Sequence, residues 1–349
     1  MPGSGFLMMK SQNLVEEKEL LDLSISIVNW NTKDILRNCL MSIYKSTHKI
    51  SYEIFVVDNA SSDGSPEMVE KRFPQVKLIR NKENLGFARA NNQAIKLSNG
   101  RYILLLNSDT IVLDGALDKM VEFMNDRPDA GAAGCRLLNP DGSLQKSIRN
   151  FPSLINAYWT NSLLRRLFPK AQITELVTSP KLYLTIREVD SVMGAFLILR
   201  STVVELAGSL DEEFFMYREE IDLCYRIRKT GWKVYFCPLA EIIHLGGASS
   251  ERVKSESIIR MARSNYRFYK KHYGSAGLIL VRLFETTCSG RRLLIWCLAF
   301  LFFLARRSEI SEKIREIATC FRVSVCPIKR YHPRTRKSGN YENSQLCNL

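Results

Sequence analysis

Four short polar clusters in this chain have the residue types and spacing to do chemistry. Asn107-Ser108-Asp109 follows directly on an apolar run, 102–106. A carboxylate there could hold a hard divalent cation against a diphosphate, because such ions take oxygen ligands and leave places for phosphate oxygens. Asp58 opens Asp-Asn-Ala-Ser-Ser-Asp-Gly-Ser. Its carboxylate could accept a hydrogen bond from the imide N–H of uracil or thymine. Glu219-Glu220-Ile221-Asp222 is an acidic cluster at the start of a helical pattern. Neighbouring helical positions lie about 100° apart, so Glu219 and Glu220 face different ways, whereas Glu219 and Asp222 share a face. One glutamate can serve as a general base while another orients it or caps the helix. His244 ends an apolar stretch before Gly246-Gly247 and can supply a second metal ligand opposite Asp109. Each cluster also has an ordinary structural reading. Asp109 and Asp58 can be turn or cap residues, the acids at 219–222 can complement a helix dipole, and Asp222 can pair with Arg226 at i+4.

The elements around these clusters follow from hydrophobic periodicity. Runs at 23–29, 52–57, 76–80 and 101–106 read as strands, the last apolar enough to be buried on both faces. Between them lie a helix capped by Thr32, a second from Pro66 with Ser65 as cap, and a third at 87–97. This βαβαβαβ pattern with short links predicts an α/β, doubly wound sheet. Ligands in such sheets bind outside the carboxyl ends of the strands. Clusters 29–31, 58–65 and 107–109 all fall there, and the loop at 84–91 joins them. Further on, a helix is expected at 113–124, a short strand at 130–134, a turn at Asn139-Pro140-Asp141-Gly142, and an amphipathic helix carrying Trp159, Leu163, Leu164, Leu167 and Phe168. Apolar character returns at 189–199 around Gly194. A helix at 219–229, strands at 232–236 and 241–245, and a polar helix at 250–271 complete the pattern. The chain contains neither GxGxxG nor GxxxxGK[ST], so neither a dinucleotide fold nor a P-loop is indicated.

The net charge is +14, and from Lys270 onward 15 Lys/Arg stand against 5 Asp/Glu, so +10 of it lies in the last 80 residues. A basic end suggests an anionic partner, nucleic acid or the anionic inner leaflet of a membrane. Residues 293–305 form a 13-residue apolar block between Arg291-Arg292 and Arg306-Arg307. That is short of the roughly 20 residues a span requires, and suits an interfacial helix with snorkelling arginines better. A helix that packs on the core or on a second copy is the alternative. The nine cysteines show no CxxC pair, and the apolar settings of Cys39, Cys224 and Cys297 suggest reduced, mostly buried thiols. Residues 1–19 do not read as a signal peptide.

Taken together, residues 22–272 resemble the inverting glycosyltransferase family 2, and within it the rhamnosyltransferase-like branch of bacterial surface-polysaccharide synthesis. The likeness rests on Ser-Ile-Val-Asn-Trp-Asn, Val-Val-Asp-Asn-Ala-Ser-Ser-Asp-Gly-Ser, Asn-Leu-Gly-Phe-Ala-Arg-Ala-Asn-Asn, Leu-Leu-Asn-Ser-Asp-Thr, Met-Gly-Ala-Phe-Leu-Ile-Leu-Arg, Phe-Phe-Met-Tyr-Arg-Glu-Glu-Ile-Asp-Leu-Cys-Tyr-Arg and His-Leu-Gly-Gly, in that order. The resemblance implies a GT-A fold, a Rossmann-like, mostly parallel sheet flanked by helices. It implies nucleotide contacts at Val28, Asn29, Asp58, Asn84 and Gly86, and a donor-site motif at Asn107, Ser108 and Asp109. Mg²⁺ or Mn²⁺ would be held by Asp109 and His244, Glu220 would act as base with Glu219 beside it, and an acceptor or sugar pocket would involve Gly194 and Asp222. The chain departs from the family pattern in having Glu-Glu for Glu-Asp and Asn107 for the first aspartate of Asp-x-Asp, which leaves the choice between Glu219 and Glu220 open.

The implied donor is a dTDP- or UDP-sugar, with L-rhamnose favoured, and the acceptor a glycan or lipid-linked glycan. The expected layout is an extension at 1–21, the catalytic domain at 22–272, a membrane-associating segment at 273–330 that engages an anionic surface through 278–330, and a disordered tail at 331–349. The expected location is cytoplasmic, peripheral on the inner face of the cell membrane, with no nucleic acid bound. A binding scaffold without turnover and, less well supported, a nucleic-acid-binding protein or a nucleotidyltransferase are the alternatives.

Overall fold

The computed structural model describes residues 20–161, 174–246, 254–302 and 307–326. In chain order the elements are β1 (Leu21–Asn29), α1 (Lys33–Ser46), β2 (Tyr52–Asp58), α2 (Ser65–Arg72), β3 (Lys77–Arg80), α3 (Phe87–Leu97), β4 (Gly100–Asn107), β5 (Thr110–Val112), α4 (Ala116–Asp126), β6 (Ala130–Leu138), β7 (Leu144–Gln145), β8 (Ile148–Arg149) and α5 (Leu154–Asn161). After them come β9 (Arg187–Val189), β10 (Ser191–Val192), β11 (Phe196–Arg200), α6 (Ser201–Ala207), α7 (Glu219–Lys229), β12 (Lys233–His244), α8 (Lys254–Phe302) and α9 (Arg307–Val325).

The main sheet runs β3-β2-β1-β4-β11-β6-β12-β5. Strands β1 to β4 pair in parallel, as the short helical links require, and β12 is parallel to β6. Strand β11 runs antiparallel between β4 and β6. Successive residues of β4 feed opposite layers. Leu104 and Leu106 join Ile25, Leu36, Leu40 and Met120 on one side, while Ile103 and Leu105 join Leu199, Val203 and Leu223 on the other. Period-two side chains thus bury both faces, and helices cover each.

Several local expectations give way. Helix α2 begins at Ser65 itself, and the capping position is Gly64 in the left-handed region (φ 80°). Thr32 is the residue before α1 but makes no cap bond, because its hydroxyl is donated to Asn29 instead. The helix expected at 113–124 starts at Ala116, since Thr110–Val112 extends to pair with β12. The two strands expected at 232–245 are one, irregular between Cys237 and Glu241. The thiols of Cys39, Cys135, Cys224, Cys237 and Cys288 are buried and free, but Cys297 is exposed. Leu163, Leu164, Leu167, Phe168, Gly247, the 1–19 segment and the 331–349 tail lie outside the described residues.

Helix α8 breaks at Gly274 (φ 69°). Its first half docks on the body: Phe268 meets Phe214 and Ile221, the Ser264 hydroxyl donates to the Met216 carbonyl at 2.8 Å, and Tyr269 and Tyr273 donate to the carbonyls of Ser153 and Pro152. Its second half pairs with α9, whose Ser324 hydroxyl lies 2.9 Å from Thr286. No helix among the described residues is long and apolar enough to cross a membrane.

Candidate active site

The parallel strands deliver their last residues to one rim. Asn29 and Asp58 are register partners at the ends of β1 and β2 and are both buried. The Asn29 amide donates to Asp58 Oδ1 at 2.9 Å and to Ser61 Oγ at 3.1 Å, and its carbonyl accepts the Thr32 hydroxyl at 2.6 Å. Asp58 Oδ2 accepts the backbone N–H of Ser61. Asp58 therefore fixes the turn after β2, but α2 starts seven residues on and is not capped by it. An ionised carboxylate offers about four acceptor positions, so capacity remains for a ligand. Val28 is half-buried beneath this rim against the layer that holds Phe55 and Val57. Thr32 Oγ1 lies 3.3 Å from Ser108 Oγ and ties the rim to the end of β4.

Asn84 and Gly86 shape the adjacent loop. The Asn84 side chain accepts the Gly86 N–H at 2.9 Å, and the Gly86 carbonyl accepts the Asn59 amide at 3.2 Å. Gly86 has φ 83°, and a Cβ there would lie 2.4 Å from the Phe215 carbonyl oxygen. That oxygen accepts the Phe87 N–H at 2.7 Å, so the loop before α7 is buttoned onto the start of α3.

At the end of β4 the register His244↔Thr110 sets His244 beside Asp109, and the Leu245 N–H donates to the Asp109 carbonyl at 2.9 Å. His244 Nε2 lies 3.3 Å from Asp109 Oδ1 and 3.4 Å from Asn107 Nδ2. Both side chains are about nine-tenths buried, with 9% and 12% exposed. The opposite ring nitrogen, Nδ1, faces Gln145 Oε1 at 2.7 Å. An imidazole nitrogen and a carboxylate oxygen turned to the same point make a donor set for Mg²⁺ or Mn²⁺. Among the described residues no third His, Cys, Asp or Glu joins them, so further ligands would come from phosphate oxygens and water.

A series of contacts links the acidic helix to this point. The Asn107 N–H donates to the Ala195 carbonyl at 3.0 Å, and the Glu220 side chain lies 3.5–3.8 Å from where a Cβ on neighbouring Gly194 would be. The contact path His244–Asn107–Ala195–Gly194–Glu220 thus joins the metal-type pair to the glutamates. Each glutamate has one buried oxygen, Oε2, with no partner among the described residues. Burial pushes the Glu219 carboxyl well above the usual carboxylate range, and the charge of Glu220 adds to the shift. Tyr217 (φ 72°) and Arg218 (φ 71°) precede them in left-handed conformations. The other two such non-glycine residues described, Asn31 and Ala60, follow β1 and β2 at the same rim. Positions like these cost about 1–3 kcal/mol each and gather at functional sites.

Asp222 does not line a pocket. Its carboxylate is fully buried and takes hydrogen bonds from Arg226 (2.9 Å), Lys271 (2.9 Å) and His272 (2.8 Å). Burial raises its pKa, but the His272 and Lys271 hydrogen bonds and the positive charges of Arg226 and Lys271 outweigh that and bring it to about 2. The acceptor role read from sequence gives way to a structural one, in which Asp222 fastens α7 to α8. Gly194 lies against the Glu220 side chain.

Residues 24–192 match the family described as Glycosyl transferase family 2. The chain carries a glycosyl transferase family 2 domain. This glycosyltransferase is 28% identical over 257 residues to an N-acetylglucosaminyl-diphospho-decaprenol L-rhamnosyltransferase of Mycobacterium tuberculosis, spanning 70% of this chain and 83% of the relative. It is 25% identical over 256 residues to the low-salt glycan biosynthesis hexosyltransferase Agl10 of Haloferax volcanii, spanning 69% and 73%. Among solved structures it is similar to the mannosyltransferase PcManGT from Pyrobaculum calidifontis in complex with GDP-Man and Mn²⁺, with a TM-score of 0.55, 16% identity and 88% and 87% of the two chains covered. The fold is GT-A.

Three features around these residues were not read from the sequence. Gln145 and Phe215 make their contacts with residues distant in the chain, so even the motif that contains Phe215 does not reveal what it touches. The paired left-handed residues Tyr217 and Arg218 carry side chains that give no hint of that conformation.

Proposed function

We propose that this glycosyltransferase moves a sugar, L-rhamnose first among the candidates, from a dTDP- or UDP-linked donor to a hydroxyl of a glycan or lipid-linked glycan, with inversion. The reading rests on the contact path that joins Asp109 and His244 to Glu220. Supporting it are the similarity to an enzyme named as an L-rhamnosyltransferase acting on a diphospho-decaprenol-linked sugar, and a fold neighbour that carries GDP-Man and Mn²⁺.

The chemistry divides among the side chains. Asn29 and Asp58 would hold the base at the rim, beside Val28, Asn84 and Gly86, while Ser108 and Asn107 face the sugar diphosphate. Asp109 and His244 would hold Mg²⁺ or Mn²⁺, which supplies charge to offset the departing nucleoside diphosphate. Glu220 takes the proton from the acceptor hydroxyl as it attacks the anomeric carbon. Glu219, whose carboxyl is held well above the usual carboxylate range by burial and by the neighbouring Glu220 charge, is given the place beside the base.

Membrane contact belongs to the same reading. On the second half of α8, Ile279 (64% exposed), Leu283, Leu294 and Leu298 form an outward apolar stripe, with Arg291 and Arg292 also exposed. Such a helix suits a peripheral place on the cytoplasmic face of an anionic bilayer, where it would meet a lipid-linked acceptor.

A thermal-shift screen of dTDP- and UDP-sugars with and without Mn²⁺ tests the donor assignment. Stabilisation by one of these donors that requires Mn²⁺ is the expected result. Stabilisation by none of them, or equal stabilisation in EDTA, would overturn it.

A further inference from the structure

The turn Asn139-Pro140-Asp141-Gly142 has no part in the reaction as described above, yet its hydrogen bonds lead to His244. Strands β6 and β7 pair as a hairpin, Leu137↔Gln145 and Leu138↔Leu144. Because β6 also pairs with β12, with Leu138↔Ile243, the hairpin presents Gln145 to the end of β12. At its tip the Ser143 hydroxyl lies 2.6 Å from Asp141 Oδ1. An ionised carboxylate only accepts, so this hydroxyl donates to it and must accept from Asn139 Nδ2, 2.9 Å away. That turns the Asn139 carbonyl oxygen to Gln145 Nε2 at 3.0 Å. The same nitrogen donates to the His244 backbone carbonyl at 3.2 Å. Both contacts fix the Gln145 amide with its oxygen toward His244 Nδ1, at 2.7 Å. A neutral imidazole carries one proton. Here it must be on Nδ1, so Nε2 presents a lone pair toward Asp109 Oδ1.

We infer that Gln145 is a positioning residue, which the 139–145 hairpin holds so that His244 keeps its proton on Nδ1 and its Nε2 lone pair toward the cation site. The inference rests on the metal reading of Asp109 and His244, and it deepens that reading by naming what prepares the ligand before a cation arrives. Histidine ligands are generally oriented by a hydrogen bond at the far nitrogen, and loss of that bond costs roughly tenfold to a hundredfold in metal affinity. The hydrogen bonds of the Gln145 amide go to Asn139 and His244. It acts through His244.

Two measurements separate the inference from the reading beneath it. Long-range ¹H–¹⁵N spectra of ¹⁵N-histidine-labelled protein, taken about two pH units above the ordinary imidazole pKa of about 6.5, report which ring nitrogen bears the proton without any metal. The wild type is expected to show His244 in the Nδ1–H form. Gln145→Met should shift it toward the Nε2–H form usual in water, and Gln145→Glu, which keeps an acceptor, should restore Nδ1–H. Unmoved His48 and His272 signals serve as the folding control. In parallel, Mn²⁺ binding in the presence of UDP, followed by electron paramagnetic resonance, should weaken tenfold to a hundredfold in Gln145→Met. A wild-type ring in the Nε2–H form, or a Gln145→Met protein with unchanged tautomer and Mn²⁺ affinity, overturns the inference. A wild type in the Nδ1–H form that takes up no Mn²⁺ overturns the metal reading itself, and Gln145's part in it.

Discussion

Two adjacent glutamates with different surroundings decide the base. Glu219 is buried, and its carboxyl is pushed well above the usual range first by burial and then by the Glu220 charge. A protonated Glu219 is nearly isosteric with glutamine. Glu219→Gln should therefore keep turnover within about tenfold, well short of the 10²–10⁴-fold that loss of a general base costs. The sign of the stability effect follows from the same shift. The folded state holds this proton more tightly than the unfolded chain, so Glu219 costs stability as pH rises above its ordinary value of 4.5. Glu219→Gln removes that cost, and its urea midpoint at pH 7 should exceed the wild type's. A lower midpoint, with turnover lost, would give Glu219 the role assigned here to Glu220. At this scale the sequence was informative where chemistry follows a strand end. Asn29, Asp58 and Asn107–Asp109 were placed by the apolar runs before them. The buried pairing of Asp222 is not legible in the sequence, because Lys271 and His272, which satisfy it, lie 49 and 50 residues away. Gln145 was missed for a similar reason, with 99 residues between it and His244.

At the scale of elements, α7 is held from two sides. Phe215 locks its leading loop to α3 across Gly86, and Asp222 fastens its first turn to α8. Gly86→Ala would combine a left-handed φ with a Cβ 2.4 Å from a backbone oxygen. Strain of this kind costs roughly 1–3 kcal/mol. Because the clash displaces the loop proposed to meet the nucleotide, the expected signature is a raised donor KM with a lowered Tm, and an unchanged KM would contradict it. For Asp222 the folded pKa is about 2 against an ordinary 3.8. A depressed carboxylate contributes stability that is present above the unfolded value and lost as pH falls through the folded one. That contribution, roughly 2 kcal/mol, should disappear between about pH 4 and pH 2. Asp222→Asn should destabilise by roughly 3 kcal/mol at pH 7, since it leaves buried cations without their partner, and should flatten that acid limb in urea titrations. An acid limb identical to the wild type's would remove Asp222 from this role. The βαβαβαβ half of the sheet was legible because local periodicity and short links specify it. The antiparallel insertion of β11 between β4 and β6 was not, because strand pairing across the chain leaves no local mark.

At the scale of the whole molecule, the helix that carries Lys271 and His272 continues past Gly274 into a stretch with an exposed apolar stripe. Replacement of Leu294 and Leu298 by glutamate would put charge on that stripe without touching the core. The double variant should keep its fold and its turnover on a water-soluble acceptor, and should lose most of its sedimentation with vesicles rich in anionic lipid. Binding equal to the wild type's would show that another surface makes the contact. The basic, apolar character of this segment was legible from composition alone. Its attachment to α7 was not, since it depends on packing between distant parts of the chain.

In the proposed reaction a cation held by Asp109 and a proton taken by Glu220 serve one transfer. Donor affinity by calorimetry with Mn²⁺, set beside turnover for the same two variants, tests it most directly. Glu220→Gln should bind the nucleotide sugar as tightly as the wild type and transfer none, whereas Asp109→Ala should lose both. Near-normal turnover in either variant would remove that residue from its role.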